Sequence, residues 1–323
     1  MKSLAFVSVA LTSLALASAC SPRYVIARPG NAPAVRPVVS ARASGLTRNV
    51  VLVSVDGLRP DAIAEYNAPT LQRLMREGSY SLAARTILPS KTLPSHTSML
   101  SGEPPEDHGV FWNNVITAKT DVVAFPTIFS VAREHGYRTA AFFSKSKFEP
   151  LQRPGTLDYS QAPGGWFGRW SSDRTMSDVR AYLAKERPNL LFIHLSDPDR
   201  AGHDSGWMSD AYGRAVRDAD EALGELVAVA NGAYGPGNYS LLVTADHGGH
   251  GRDHGSDDPR DVTIPWIAWG QGVSAGALRD VAIQTFDTAP TVLWLLGLDK
   301  PEAWNGAAIT KAFLSPTQPT NSN

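Results

Sequence analysis

Residues Val50–Val55 form a short, nearly continuous apolar run that stops at Asp56-Gly57, and the same device recurs along the chain. Similar runs occupy 138–143, Leu190–Leu195, Ser240–Thr244 and 264–269. Between them, over 68–76, 126–135, 176–187, 210–230 and 288–296, apolar residues recur at helical spacing. Runs of that kind read as strands buried on both sides, and parallel neighbours need crossover connections of a dozen or more residues. The alternation predicts an α/β fold: a largely parallel central sheet with helices on both faces. In such sheets ligands gather beyond the carboxyl ends of the strands, so the residues after each run are the ones to examine for chemistry.

The 43% hydrophobic content of the 323 residues is ample for one sizeable core. With 30 basic and 31 acidic residues there is no global field to gather nucleic acid, and attraction for an anionic substrate has to be local. Residues 1–20 read as an export signal: Lys2, then a small-residue apolar run, then Ala17-Ser18-Ala19. The run is short for a membrane span. The single cysteine, Cys20, follows at once and resembles the lipobox of bacterial lipoproteins, with Ala17 where Leu is usual. The expectation is an exported, periplasmic protein anchored to the membrane by lipid on Cys20; the bland alternative is cleavage nearby that leaves an inert thiol. Residues 21–48, rich in Pro, Ala, Val and Arg, read as a tether, 49–315 as one catalytic domain and 316–323 as a tail.

The residues after the runs are uniform in type. Asp56 ends Val-Ser-Val-Asp-Gly-Leu-Arg-Pro-Asp, Leu195 leads into Ser-Asp-Pro-Asp-Arg-Ala-Gly-His, and Val243 leads into Thr-Ala-Asp-His-Gly-Gly-His-Gly-Arg-Asp-His. Asp199 and His203, at i and i+4, share one face of a helical turn. The adjacent Asp246 and His247 can meet one ion only at a sharp turn, which Gly248 and Gly249 supply. Singly, an Asp after a strand is more often a helix cap, and a lone His a satisfied surface or core residue. Three strand ends carrying Asp and His together point instead to divalent metal, and mixed oxygen and nitrogen ligands suit zinc. A second cluster, Ser90-Lys91-Thr92-Leu93-Pro94-Ser95-His96, sets Thr92 at the start of an expected helix. Free N–H groups there favour phosphoryl oxygens, so Thr92 is a candidate nucleophile as well as a candidate N-cap.

These segments together resemble the alkaline phosphatase superfamily, and most closely its type I phosphodiesterase/nucleotide pyrophosphatase branch, over about residues 50–270. The resemblance implies two zinc ions, one held by Asp56, Asp246 and His247 beside the nucleophile Thr92, the other by Asp199, His203 and a further histidine. Both His250 and His254 precede the late strand, and His254 is the nearer. The branch carries that histidine farther downstream, so the metal site carries over better than the specificity. Asn113 matches the Asn that donates to the transferring phosphoryl oxygen, although an Asn-Asn pair also suits a plain turn.

Lys145 and Lys147 resemble the Lys-x-Lys pair that grips an anionic group in phosphonoacetate hydrolases and threonine-type alkaline phosphatases. As substrate-binding groups they would favour a monoester, which carries more charge than a diester; the plain alternative is two solvated lysines. The expected function is phosphoester hydrolysis of a small phosphorylated substrate through a phosphothreonine, like the phosphodiesterases. Alternatives are a phosphomonoesterase, a phosphonoacetate hydrolase-like or phosphomutase-like enzyme, and a non-catalytic metal- or phosphate-binding lipoprotein. Ser196-Asp197-Pro198-Asp199-Arg200 matches the sulfatase maturation pattern but overlaps the metal-ligand stretch, and is read as chance. Trp112, Trp166, Phe167 and Trp170 are candidates for an aromatic wall.

Overall fold

The computed structural model describes residues 45–114, 125–152, 155–165 and 168–314. The expected signal segment, Cys20, Trp166, Phe167 and the tail lie outside the described residues, as does all of the tether but its last four residues. Within those four, Leu46 packs against the core, and the Thr47 N–H donates to the Leu295 carbonyl oxygen at 3.2 Å.

The run Val50–Val55 is strand β1, buried at every position. It lies inside a sheet of eight described strands: β2 Ser79–Arg85, β3 Thr139–Phe142, β4 Tyr159–Gln161, β5 Leu190–Leu195, β6 Ser240–Thr244, β7 Thr263–Gly270 and β8 Gly276–Ala277 complete it. The order is β4-β3-β5-β1-β6-β7-β2-β8. β4, β3, β5, β1 and β6 run parallel, while β7 is antiparallel to both β6 and β2. β1, β5 and β6 read as apolar runs because both of their faces are covered. One set of helices, Pro69–Glu77, Ser172–Leu183, Asp197–Ser205 and Asp210–Tyr234, packs together, and a second set, Thr92–Ser101, Ile128–Glu134 and Thr288–Leu295, packs separately. This is the α/β architecture expected of the alternation.

Two features depart from the simple pattern. The 264–269 run, which the alternation left among the parallel strands, pairs antiparallel. The segment Ser79–Arg85, between β7 and the two-residue β8, is a strand without an apolar run, its burial alternating with exposed Leu82, Ala83 and Arg85. It is held by close backbone approach: a side chain on Gly78 would meet the Ala268 carbonyl oxygen at 2.1 Å.

Parallel register aligns the ends of β3, β5, β1 and β6, since Val55 lies beside Leu195, and Ser54 beside both His194 and Thr244. Asp56, Asp199, Asp246 and Lys145 consequently leave the same edge of the sheet.

Candidate active site

At the end of β1 the chain turns through Gly57, whose φ of 74° lies in the left-handed region. A Cβ there would come within 2.9 Å of the Asp199 Cα, so glycine also permits the loop after β5 to close on the loop after β1. The contact is sealed by the Asp199 N–H, which donates to the Asp56 carbonyl oxygen at 3.0 Å.

Three buried carboxylates converge there, and each is divided in the same way. Asp56 accepts from His194 Nε2 at 2.9 Å and from Lys145 Nζ at 2.5 Å on Oδ2, while its Oδ1 has no partner among the described residues. Asp199 accepts from Lys145 Nζ at 2.5 Å on Oδ2, again leaving Oδ1 unpartnered. Asp246 accepts from the Gly57 and His247 N–H groups on Oδ1, leaving Oδ2 unpartnered. Orphaned buried carboxylate oxygens are costly, and three aimed into one site fit a cation that none of the described side chains supplies.

The histidines are prepared to match. His247 Nδ1 donates to the Gly248 carbonyl at 2.8 Å, His254 Nδ1 to the Ser90 carbonyl at 2.8 Å, and His203 Nδ1 to the Arg252 carbonyl at 3.0 Å. Because a carbonyl oxygen can only accept, the neutral form of each ring keeps its lone pair on Nε2, the tautomer a metal takes. His247 Nε2 lies 3.4 Å from Asp56 Oδ1, 3.3 Å from Asp246 Oδ2 and 3.4 Å from Thr92 Oγ1. Around Asp199 Oδ1 stand His203 Nε2 at 3.3 Å and His254 Nε2 at 3.6 Å. Asp56, Asp246 and His247 offer ligand atoms close enough to share one ion. Asp199 and His254 group likewise with His247, whose ring stacks on that of His254 at 3.6 Å. His250 is turned away, its Nδ1 2.7 Å from Asp261 Oδ1.

The loop after β6 reaches this position because Gly248 and Gly249 allow tight packing: added Cβ atoms would meet the Arg260 carbonyl oxygen at 2.0 Å and the Trp207 ring at 2.2 Å. Trp207 also covers Gly202, sets its ring edge-on to His203 at 5.1 Å and donates from Nε1 to the Gly57 carbonyl at 3.0 Å.

Thr92 opens the helix Thr92–Ser101, which is buried at every position. Beside it, Asn113 Oδ1 accepts from the Leu93 N–H at 2.9 Å and lies 3.4 Å from Lys147 Nζ. His96 holds the helix from below, with Nδ1 donating to the Thr92 carbonyl and Nε2 accepting from Ser54 Oγ.

The electrostatics follow from burial. Burial alone would raise the Asp56 carboxyl, but the Lys145 ammonium and the His194 hydrogen bond outweigh it and hold it well below the usual range. For Asp199, burial and the Asp56 charge raise and Lys145 lowers, again with a net depression. Asp246 goes the other way, raised by burial and by the neighbouring Asp56. His247 is pushed down to about 3, chiefly by burial and then by His254. Lys145, although buried, is raised by Asp199 and Asp56, whereas Lys147 falls to about 8 through burial and the Lys145 charge.

The ten residues singled out in the sequence all fall in or beside this one cluster. Lys145, expected to grip substrate together with Lys147, gives two of its three donors to carboxylates. Lys147 is the lysine of the pair whose ammonium makes no ion pair among the described residues. Trp170, a member of the expected aromatic wall, has the Arg174 guanidinium 5.4 Å from its ring centroid, and Trp112 is partly buried against the core. Sequence reasoning missed His194 and Ser144. Ser144 Oγ donates to His194 Nδ1 at 2.6 Å, which orients the ring toward Asp56. The available signal was an imidazole inside an otherwise apolar strand.

A family model described as type I phosphodiesterase/nucleotide pyrophosphatase matches residues 50–255. Human GPI ethanolamine phosphate transferase 1 is 24% identical over 83% of the chain and 30% of its own length. Human ectonucleotide pyrophosphatase/phosphodiesterase family member 5 is 25% identical over 62% of the chain and 45% of its own length, so the chain spans less than half of either relative. Among solved structures, an inactive threonine-to-alanine variant of murine ectonucleotide pyrophosphatase/phosphodiesterase 5 in complex with AMP superimposes with a TM-score of 0.71 at 16% identity, covering 82% of this chain and all of that one. A 2-O GAG sulfatase does so at 0.68, also at 16% identity, covering 82% of this chain and 74% of that one. The match of the family model to most of the catalytic region, on a fold these structures share, makes the chain a member of the type I phosphodiesterase/nucleotide pyrophosphatase family.

Proposed function

We propose that the chain is a two-zinc phosphoester hydrolase of the phosphodiesterase/nucleotide pyrophosphatase type with Thr92 as nucleophile. The observation that carries the reading is the division of the three carboxylates, each with one oxygen fixed by the protein and the other left orphaned toward histidine Nε2 atoms and, through His247, toward Thr92. Asp56, Asp246 and His247 would hold one ion, and Asp199, His203 and His254 the other. Zinc so held would supply Lewis acidity to activate a hydroxyl nucleophile and to stabilise charge developing on oxygen.

The residues of the chain do the rest. At the start of the helix Thr92–Ser101 the Leu93 N–H is taken by Asn113 Oδ1 and Pro94 has none, which leaves the Thr92 N–H for a phosphoryl oxygen. Asn113, pinned through Oδ1, keeps its amide N–H₂ for an equatorial oxygen as charge develops. Thr92 Oγ forms the bond to phosphorus as the bond to the leaving group breaks. Water then attacks phosphorus as the bond to Thr92 Oγ breaks; its oxygen leaves on the product, a phosphomonoester from a diester or phosphate from a monoester, and Thr92 regains its proton. Lys145 carries positive charge between Asp56 and Asp199 and keeps both ionised.

A phosphomonoesterase reading rests on Lys147, whose ammonium reaches Asn113 and lies near the phosphoryl position, where a second cation suits a dianion. The deciding experiment is the ratio of kcat/KM for p-nitrophenyl phosphate to that for bis-p-nitrophenyl phosphate, with zinc supplied and a chelator control. Chelator-sensitive turnover supports the hydrolase reading and its direction sorts the two substrates. Absence of turnover on both would overturn it.

A further inference from the structure

Beyond the end of β3, Lys145 is extended, with φ −129° and ψ 142°, and its backbone pairs antiparallel with Arg169. The flanking hydrogen bonds run from the Ser146 N–H to the Gly168 carbonyl at 3.0 Å and from the Trp170 N–H to the Ser144 carbonyl at 2.8 Å. Lys145 and Arg169 themselves therefore exchange no hydrogen bond. They form the pair type in which the Cα atoms are closest, roughly 4.5 Å apart, and the side chains leave the same face. The Lys145 side chain enters the cluster between Asp56 and Asp199, so that face is the one turned to the reaction centre.

Two cations directly opposite one another are destabilising unless each meets an anion. Lys145 meets two. Arg169 is exposed and makes no ion pair or hydrogen bond among the described residues, while its neighbour Arg174 is engaged with Asp178. We infer that Arg169 binds a second anionic group of the substrate, one attached close to the phosphorus under attack, as in a phosphoanhydride or a compound bearing two phosphates. The inference rests on the phosphoester hydrolase reading for the position of the first phosphoryl group. A guanidinium suits this role because its planar donors engage two phosphate oxygens at once.

The test is equilibrium binding of inorganic phosphate and of pyrophosphate to the full chain in the same zinc-containing solution, for wild type, Arg169→Ala and Arg169→Lys. Chelation of zinc by pyrophosphate is common to all three proteins and cancels in the comparison. The expected result is that the wild-type preference for pyrophosphate over phosphate shrinks by about tenfold in Arg169→Ala, as for loss of one charge-assisted contact, and by less in Arg169→Lys. Equal weakening of both anions, or an unchanged preference, would overturn the inference. Turnover is scored separately: an Arg169-dependent preference in a protein that hydrolyses no phosphoester would remove the hydrolase reading while leaving the second anion site in place.

Discussion

Lys145 Nζ stands 2.5 Å from Asp56 Oδ2 and 2.5 Å from Asp199 Oδ2, joining the carboxylates of the two candidate metal positions through one ammonium. Lys145→Met would leave two buried carboxylates facing each other without their cation, at a cost of about 3 kcal/mol or more in the metal-free protein. The pH dependence should invert as well. In the wild type both carboxyls are depressed, so their stabilisation is present above the ordinary value of 3.8 and is lost as pH falls through the folded values. Without Lys145, burial raises them, and stability falls as pH rises above that value. Urea unfolding with chelator between about pH 3 and 8 reads both effects; parallel pH profiles for the two proteins would count against this account.

Thr92→Ala should lower kcat/KM for p-nitrophenyl phosphate by about a thousandfold or more while zinc stoichiometry stays at two. Asp246→Asn, which alters the orphaned oxygen itself, should reduce both turnover and zinc content. Calorimetric zinc titration beside steady-state rates separates the cases, and appreciable turnover in the threonine variant would exclude the covalent route.

His194→Leu should weaken zinc binding by about 10- to 100-fold, because Asp56 loses the ring that orients it. His194→Gln, which retains a donor, should recover part of the affinity. If both variants bind zinc like the wild type, the hydrogen bond from His194 has no role in orienting the carboxylate.

His254→Ala and His250→Ala distinguish the two histidines that precede β7. The first should bind one zinc instead of two. The second should keep two and lose only about 1 kcal/mol of stability through its hydrogen bond to Asp261. The reverse outcome would exchange their roles.

Lys147, lowered to about 8, should lose its charge in mildly alkaline solution. As pH rises through that value, kcat/KM for the monoester should fall, because the cation facing the dianion is neutralised. Lys147→Arg, always charged, should lack this descending limb. A limb that persists unchanged in the arginine variant belongs to another group.

The layered α/β fold was legible because β1, β5 and β6 are buried on both faces and read as apolar runs. β2 was not: it mixes small, polar and large side chains, about half of them exposed, and tertiary approach at Gly78 places it. The candidate ligand positions were legible because their chemistry follows directly on strand ends. Nearness to β7 favoured His254 over His250 in the sequence; the approach of His250 to Asp261, a relationship between positions eleven residues apart, is invisible to spacing. The role of Lys145 was hidden for a similar reason. A lysine beyond a strand reads as solvated or substrate-facing, and only the convergence of β3, β1 and β5 gives it two carboxylates.

The hydrogen bond from the Asp199 N–H to the Asp56 carbonyl has one further consequence. Because β1 and β5 are neighbours, roughly 4.8 Å apart, the spacing of the Asp56 and Asp199 backbones is set by the repeat of the sheet and by that main-chain bond. The sheet thus acts as a ruler, and exchanges of side chain around the mouth could redirect what is bound without moving the Asp56 and Asp199 backbones.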